Sequence, residues 1–192
     1  AGAGTTTFDG AVTVNSSAAA DSIDLNGTNF AVNSTVQTLN DGTMTVTNAG
    51  LLDIAPGADF TLDGAFGQDG AGSTETAGDI TTTADDITFG TGVTLTDSES
   101  VAMSTGATVG DITFSSSVDA TSDFDEDLSL TAGTGDITFT GAVGSNNDPD
   151  DLSIVSATDV DFSSAVEVDD LEQTAGAGTT TFDGAVTVNS SA

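Results

Sequence analysis

The chain has no lysine, arginine or histidine to set against its 31 aspartates and glutamates, so its formal charge is −31 and no side chain in it can neutralise a carboxylate. Nucleic-acid backbones and anionic bilayer surfaces are both gripped through Lys and Arg, so this composition excludes nucleic acid as a partner and disfavours binding to membrane surfaces. Cysteine is absent as well, which removes disulfides and thiolate metal sites from the list of things that could hold the fold. Without Cys, His or Lys there is no Ser-His or Cys-His nucleophile and no Schiff-base amine. No apolar run approaches the ~20 residues that span a bilayer, so membrane insertion is not expected.

Carboxylates and hydroxyls are the only reactive groups left. A carboxylate pair could hydrolyse a glycoside, and adjacent Asp pairs such as Asp85-Asp86 and Asp169-Asp170 are present. On a strand, however, consecutive side chains face apart. A catalytic pair would have to come from different parts of the chain and nothing marks one, so an enzyme is not expected.

An acidic chain with few aromatics could be disordered. Against that, 36% of the residues are hydrophobic, and they recur in order. The longest recurrence is verbatim: AGAGTTTFDGAVTVNSSA occupies residues 1–18 and again 175–192, an offset of 174 residues. Residues 1–174 therefore read as one full tandem repeat, and residues 175–192 as the start of the next.

A shorter period lies inside it. Asp59-Phe60-Thr61-Leu62, Asp86-Ile87-Thr88-Phe89, Asp111-Ile112-Thr113-Phe114, Asp136-Ile137-Thr138-Phe139 and Asp159-Val160-Asp161-Phe162 align as one block. An apolar residue follows each block four positions on, at Phe66, Val93, Val118, Val143 and Val166. Thr179-Thr180-Thr181-Phe182 keeps the frame and loses the Asp. Within residues 23–54 the block is not distinct, and Phe30 is the candidate anchor. Each block alternates as a strand does, with Ile137 and Phe139 on one face and Asp136 and Thr138 on the other. Thr, Val, Ile, Gly and Ser dominate, which disfavours helix. Short strands separated by Gly, Asn, Asp and Ser turns give an all-β fold.

Tandem β-sandwiches would not repeat one block at this short interval. A parallel β-helix, or β-solenoid, does: each unit is one coil, and equivalent side chains stack into columns. About seven coils of ~25 residues fill the 174-residue repeat on this reading.

Gly135-Asp136-Ile137-Thr138-Phe139-Thr140-Gly141-Ala142-Val143-Gly144, with its variants at Asp111 and Thr179, resembles the repeats of filamentous-haemagglutinin-like and "beta strand repeat" proteins, which are very large bacterial surface proteins. The resemblance covers most of residues 56–192. It implies a right-handed parallel β-helix and a role as an adhesin or cell-surface fibre. The complete lack of basic residues departs from that family.

Stacking the blocks places Asp86, Asp111, Asp136 and Asp159, together with Asp59, in one outward column. Unit charges about 5 Å apart repel by roughly 0.8 kcal/mol in water. With no basic residue available, relief must come from raised carboxyl pKa values, salt or bound cations. Calcium, which takes six to eight oxygens, is the expected ion. The densest oxygen donors are Asp148, Asp150 and Asp151 in one turn and Asp123, Asp125 and Asp127 in another, although neither turn matches an EF-hand loop. Asn15, Asn26, Asn33 and Asn189 open Asn-x-Ser/Thr sequons that could carry glycans. Thr-rich strands would suit an ice-binding array only if Thr recurred in every coil, and Asp161 interrupts it.

The expectation is therefore a structural segment of a long extracellular fibre, sheath or surface filament, stabilised by cations and joined end to end. The alternative is the stalk of an adhesin whose binding domain lies outside this segment.

Overall fold

The computed structural model describes residues 4–15 and 23–189, so the outermost residues of both eighteen-residue copies, 1–3 and 16–18 in the first and 190–192 in the second, lie outside the described residues. Among the described residues there are 24 strands and no helix, and every strand pairing is parallel. The chain winds as a three-sided β-solenoid of eight turns, visiting faces A, B and C in that order on each turn.

Face A stacks Thr5–Phe8, Asn29–Val32, Leu52–Ile54, Thr74–Thr76, Val93–Leu95, Val118–Ala120, the single bridging residue Val143, Val166–Val168 and Val186–Val188. Face B stacks Val12–Asn15, Val36–Leu39, Phe60–Thr61, Ile80–Thr81, Ser100–Ser104, Asp127–Thr131, Asp151–Ser156 and Asp170–Gln173. Face C stacks Ile23–Gly27, Met44–Asn48, Phe66–Gln68, Ile87–Phe89, Ile112–Phe114, Ile137–Phe139, Val160–Phe162 and Thr180–Phe182.

Alternation within these short strands builds the core. In Ile137-Thr138-Phe139 the Ile and Phe side chains are buried, and the Thr between them points outward. In-register pairing then turns each inward position into a column. On face B the column runs Val12, Val36, Phe60, Ile80, Met103, Leu130 and Ile154. On face C, Phe89, Phe114, Phe139, Phe162 and Phe182 lie ring on ring, with centroids 4.8 to 5.5 Å apart and planes within 11° of parallel. Burying one such ring stabilises by about 1.5–3 kcal/mol, and stacking adds about 0.5–1.5 kcal/mol.

Coil length varies without disturbing the columns, because the extra residues leave at the corners or, at Val155 on face B, in a β-bulge. Corresponding aspartates in successive coils are 25, 25 and 23 residues apart, and the last of them is 20 residues before its partner. Sharp corners need left-handed backbone, which Asn40, Asp41, Asp97 and several glycines supply. At Gly72 the requirement is space: a Cβ there would run into the Gly50 carbonyl of the preceding coil.

The structure differs from the block alignment at the Asp59 block and at the expected anchor Phe30. Phe60-Thr61 lies on face B, paired with Ile80-Thr81, whereas the blocks beginning at Asp86, Asp111, Asp136 and Asp159 all lie on face C. Phe66 is the face C partner of Ile87. A strand triplet carries no label for its face, so a block on a neighbouring side aligns equally well by sequence. The coils across residues 23–54 also resolve: Leu25, Val46 and Gln68 stack beneath Phe89, and Phe30 belongs to face A.

Candidate functional site

The aspartate column exists, and its carboxylates are engaged with backbone. The N–H of Asp111 donates to Asp86 Oδ1 at 2.9 Å, that of Asp136 to Asp111 Oδ1 at 2.8 Å, and that of Asp159 to Asp136 Oδ1 at 3.0 Å. The N–H of Thr179 closes the series on Asp159 Oδ1 at 2.6 Å. Each aspartate thus caps an amide in the next coil at the corner leading into face C, where the turn leaves that amide outside the sheet ladder. Asp59 is not in this column. It accepts from the N–H of Asp79, whose own carboxylate accepts from the N–H of Ala102 at 2.8 Å, forming a second ladder at another corner. Charge-assisted hydrogen bonds of this kind are stronger than neutral ones and offset part of the repulsion along the column.

The two acidic turns chosen as separate oxygen clusters are brought together, one above the other in consecutive coils. The N–H of Asp148 donates to Asp123 Oδ1 at 3.2 Å, and that of Asp151 to Asp127 Oδ1 at 3.3 Å. Asp125 Oδ2 accepts from Ser98 Oγ at 2.6 Å and from Ser122 Oγ at 3.3 Å. Among the described residues, no group of three or more acidic side chains converges on a point where a metal ion could be held. The cluster is a region of mutual repulsion. Burial, then the charges of Asp151, Asp127 and Asp169, push the Asp150 carboxyl up. Burial, then Asp127, Asp170, Asp169 and Glu172, do the same to Asp151. Burial also raises Asp148, offset by the Asn189 amide and reinforced by Glu167 and Asp123.

Alternation and register together build a site that was not anticipated. The outward positions of face A carry Asp53, Glu75, Thr94 and Asp119 in one column. Thr96, Asp97, Asn146 and Asn147 border it, enclosing an acidic groove of about 520 Å³. Its far wall is the turn after Val143, which replaces a full face A strand and folds back over Asp119. Asp119 accepts from Ser145 Oγ and the Asn146 N–H, both at 2.9 Å, and from Asn146 Nδ2 at 3.1 Å. Burial works to raise the Asp119 pKa, but these donors and the Ser117 hydroxyl outweigh it and hold the carboxyl below its ordinary value. Asp53, at the other end, is raised by burial and then by Asp97. No motif announced this groove. Its acids come from four coils and align only once the register is known.

Two further polar features were not read from the sequence. Gln68 is buried and donates to Asn48 Oδ1 at 2.6 Å and to the Gly72 carbonyl at 3.0 Å, while Asn48 donates to the carbonyls of Gly50 and Ser73. Glu126 is buried with Oε2 lacking a hydrogen-bond partner; burial pushes its carboxyl up, against N–H donors from Ser122, Ser98 and Thr121. Of the sequon asparagines, Asn189 is held in place, its amide donating to Glu167 Oε1 at 2.9 Å and to Asp148 Oδ2 at 3.2 Å. Asn26 and Asn33 are exposed.

No family model, no curated protein and no solved structure matches this chain.

Proposed function

We propose that the chain is a structural segment of a long extracellular filament, in which one 174-residue unit continues into the next as an unbroken solenoid. The observation that carries this reading is the behaviour of the duplicated segment. In its first copy, Thr5–Phe8 and Val12–Asn15 pair on one edge, with Asn29–Val32 and Val36–Leu39. In its second copy, Thr180–Phe182 and Val186–Val188 pair on the opposite edge, with Val160–Phe162 and Val166–Val168. One sequence is therefore compatible with a neighbour below and a neighbour above, as a segment at the junction of two units must be. The exposed apolar side chains of the second copy, Phe182, Val186 and Val188, are those that a further coil would cover.

The acidic surface fits the same role. Dense like charge keeps rods apart at low ionic strength, and the absence of Lys and Arg leaves no cleavage site for trypsin-like proteases. Cations, calcium foremost, act as counter-charges along the acidic faces and can bridge neighbouring rods. The groove and the aspartate ladders supply the oxygens. Bacterial origin and cell-surface placement are the setting in which such a filament operates, in keeping with the family that its repeats resemble.

Electron microscopy and fibre diffraction of multi-unit material test the proposal. The expected result is unbranched rods with a meridional reflection near ~4.8 Å. Discrete beads joined by linkers would overturn it. Calcium titration at constant ionic strength is expected to raise the melting temperature and to increase lateral association, both reversed by chelation.

A further inference from the structure

The two copies of the duplicated segment lie on different faces. Thr5–Phe8 is on face A and Val12–Asn15 on face B, whereas Thr180–Phe182 is on face C and Val186–Val188 on face A. Between the start of one copy and the start of the other, the described chain crosses face A eight times, counting the bridge at Val143, face B eight times and face C seven times. The unit therefore holds 23 strand positions, which is not a multiple of three.

From this we infer that successive units in the filament are rotated by one face, about a third of a turn, and return to phase only after three units. The inference rests on the continuous-filament reading and specifies its geometry. Each unit contributes seven turns and two further strands, an axial rise of about 37 Å at ~4.8 Å per turn, so the full period is about 110 Å.

Register at the junction follows from pairings already present in this chain. Phe182 stacks on Phe162 at 4.8 Å, and Asp161 pairs with Thr181. Phe182 and Thr181 are the same residues, one unit on, as Phe8 and Thr7, which pair with Val32 and Ala31. The aromatic column of face C in one unit is thereby continued by the Val32, Ile54, Thr76 and Leu95 column of face A in the next. On the outside, the threonines of face C, at Thr113 and Thr138, lead through Asp161 into the acidic groove of the following unit's face A.

No side of the filament is acidic along its whole length; each side presents faces C, A and B in succession, and the groove climbs around the rod. Cation-bridged contacts are offered to three directions in turn, which favours a three-dimensional bundle of rods over a flat sheet.

The test uses the full chain with residues 19–192 appended after Ala192, giving two units in sequence. The protein lacks cysteine, so spin labels can be placed singly and in pairs. Labels at Thr138→Cys in the first unit and at Asp53→Cys in the second are expected in one column, four strand spacings or about 19 Å apart. A label at Thr45→Cys in the second unit is expected at nearly the same height as Asp53→Cys there but on a different face, and so clearly farther from Thr138→Cys in the first unit. The reverse order of the two distances would overturn the rotation while leaving a continuous filament. Two long distances, with no short pair, would mean that the units do not stack, and both the rotation and the filament would fall.

Discussion

Two stretches of this protein share one sequence and live in different surroundings. In the first copy, Phe8 and Val12 are half-buried and pack against the core through the coil above. In the second copy Phe182 rests on Phe162 yet is 41% exposed, and Val186 and Val188 are 44% and 50% exposed. The strand conformation is the same, but the face and the covered edge are not. In a solenoid, an apolar-polar-apolar triplet specifies a strand, and the neighbouring coils specify what that strand buries.

The largest expected effect comes from deleting a ring at different heights in the same column. Phe114 is fully buried between Phe89 and Phe139, so Phe114→Ala is expected to destabilise by about 3–5 kcal/mol. Phe182→Ala removes the same ring where one side is open, and is expected to cost about 1 kcal/mol or less. Denaturant unfolding of the two variants measures the difference. Adding the next unit should raise the cost at Phe182 to the interior value, and an unchanged cost there would show that the open edge is not a stacking surface.

A smaller contrast separates coils that carry the capping aspartate from the one that lacks it. Asp111→Ala leaves the Asp136 N–H without its acceptor, and is expected to destabilise by about 0.5–1.5 kcal/mol. Asp111→Asn keeps an acceptor oxygen and removes one like charge, so it should cost less than half as much. At Thr179 the ladder has already ended, and Thr179→Ala should change stability little, since its bonds to Asp159 and Val160 are made by its backbone N–H and carbonyl, which alanine keeps. Equal losses in the Asp111 and Thr179 variants by thermal melting would show that the column is not a backbone-capping device.

What could be read from residues alone follows the same division. Strand blocks such as Asp136-Ile137-Thr138-Phe139 were legible because alternation, β-branching and turn residues are local properties. The parallel stacking was legible because the block recurs. Face assignment was not: Asp59-Phe60-Thr61-Leu62 matches the block and sits on face B, since nothing within four residues records how much chain the preceding corners consumed. The column of Asp86, Asp111, Asp136 and Asp159 was found, but its chemistry was not, because the amides it caps become available only through the turn geometry of the next coil. The groove on face A needed register across four coils to assemble Asp53, Glu75, Thr94 and Asp119.

The acidic turns and the rest of the molecule should also part company on acidification. Asp53, Asp85, Glu126, Asp148, Asp150 and Asp151 have pKa values raised in the fold, each with burial as the leading cause. A raised carboxyl binds protons more readily in the folded state, so its contribution is fully present below the unfolded-state pKa and is lost as pH rises through the folded one. Stability should therefore increase as pH falls from 7 towards about 4, the reverse of ordinary acid denaturation. Asp119, held low by its donors, opposes this only once pH drops below its ordinary range. Melting curves across this range measure the trend. Glu126→Gln, which removes a buried charge of similar shape, should flatten it and leave stability at pH 7 equal or higher.

The smallest expected effect lies at the two ends of the groove. Asp119 is tied to Ser145 and Asn146, whereas Asp53 faces the charge of Asp97 and is raised. Asp53→Asn removes a repulsion and should stabilise by a few tenths of a kcal/mol at low salt; Asp119→Asn loses a charge-assisted acceptor and should destabilise. Burial, the leading cause at Asp53, is not screened, whereas the share due to Asp97 is, so 1 M salt, with a Debye length of about 3 Å, should reduce the gain without abolishing it. The Asp119 effect rests on short hydrogen bonds and should survive. Parallel melts of the two variants at low and high salt separate these origins, and complete loss of the Asp53 gain in 1 M salt would mean that the charge of Asp97, and not burial, governs that end of the groove.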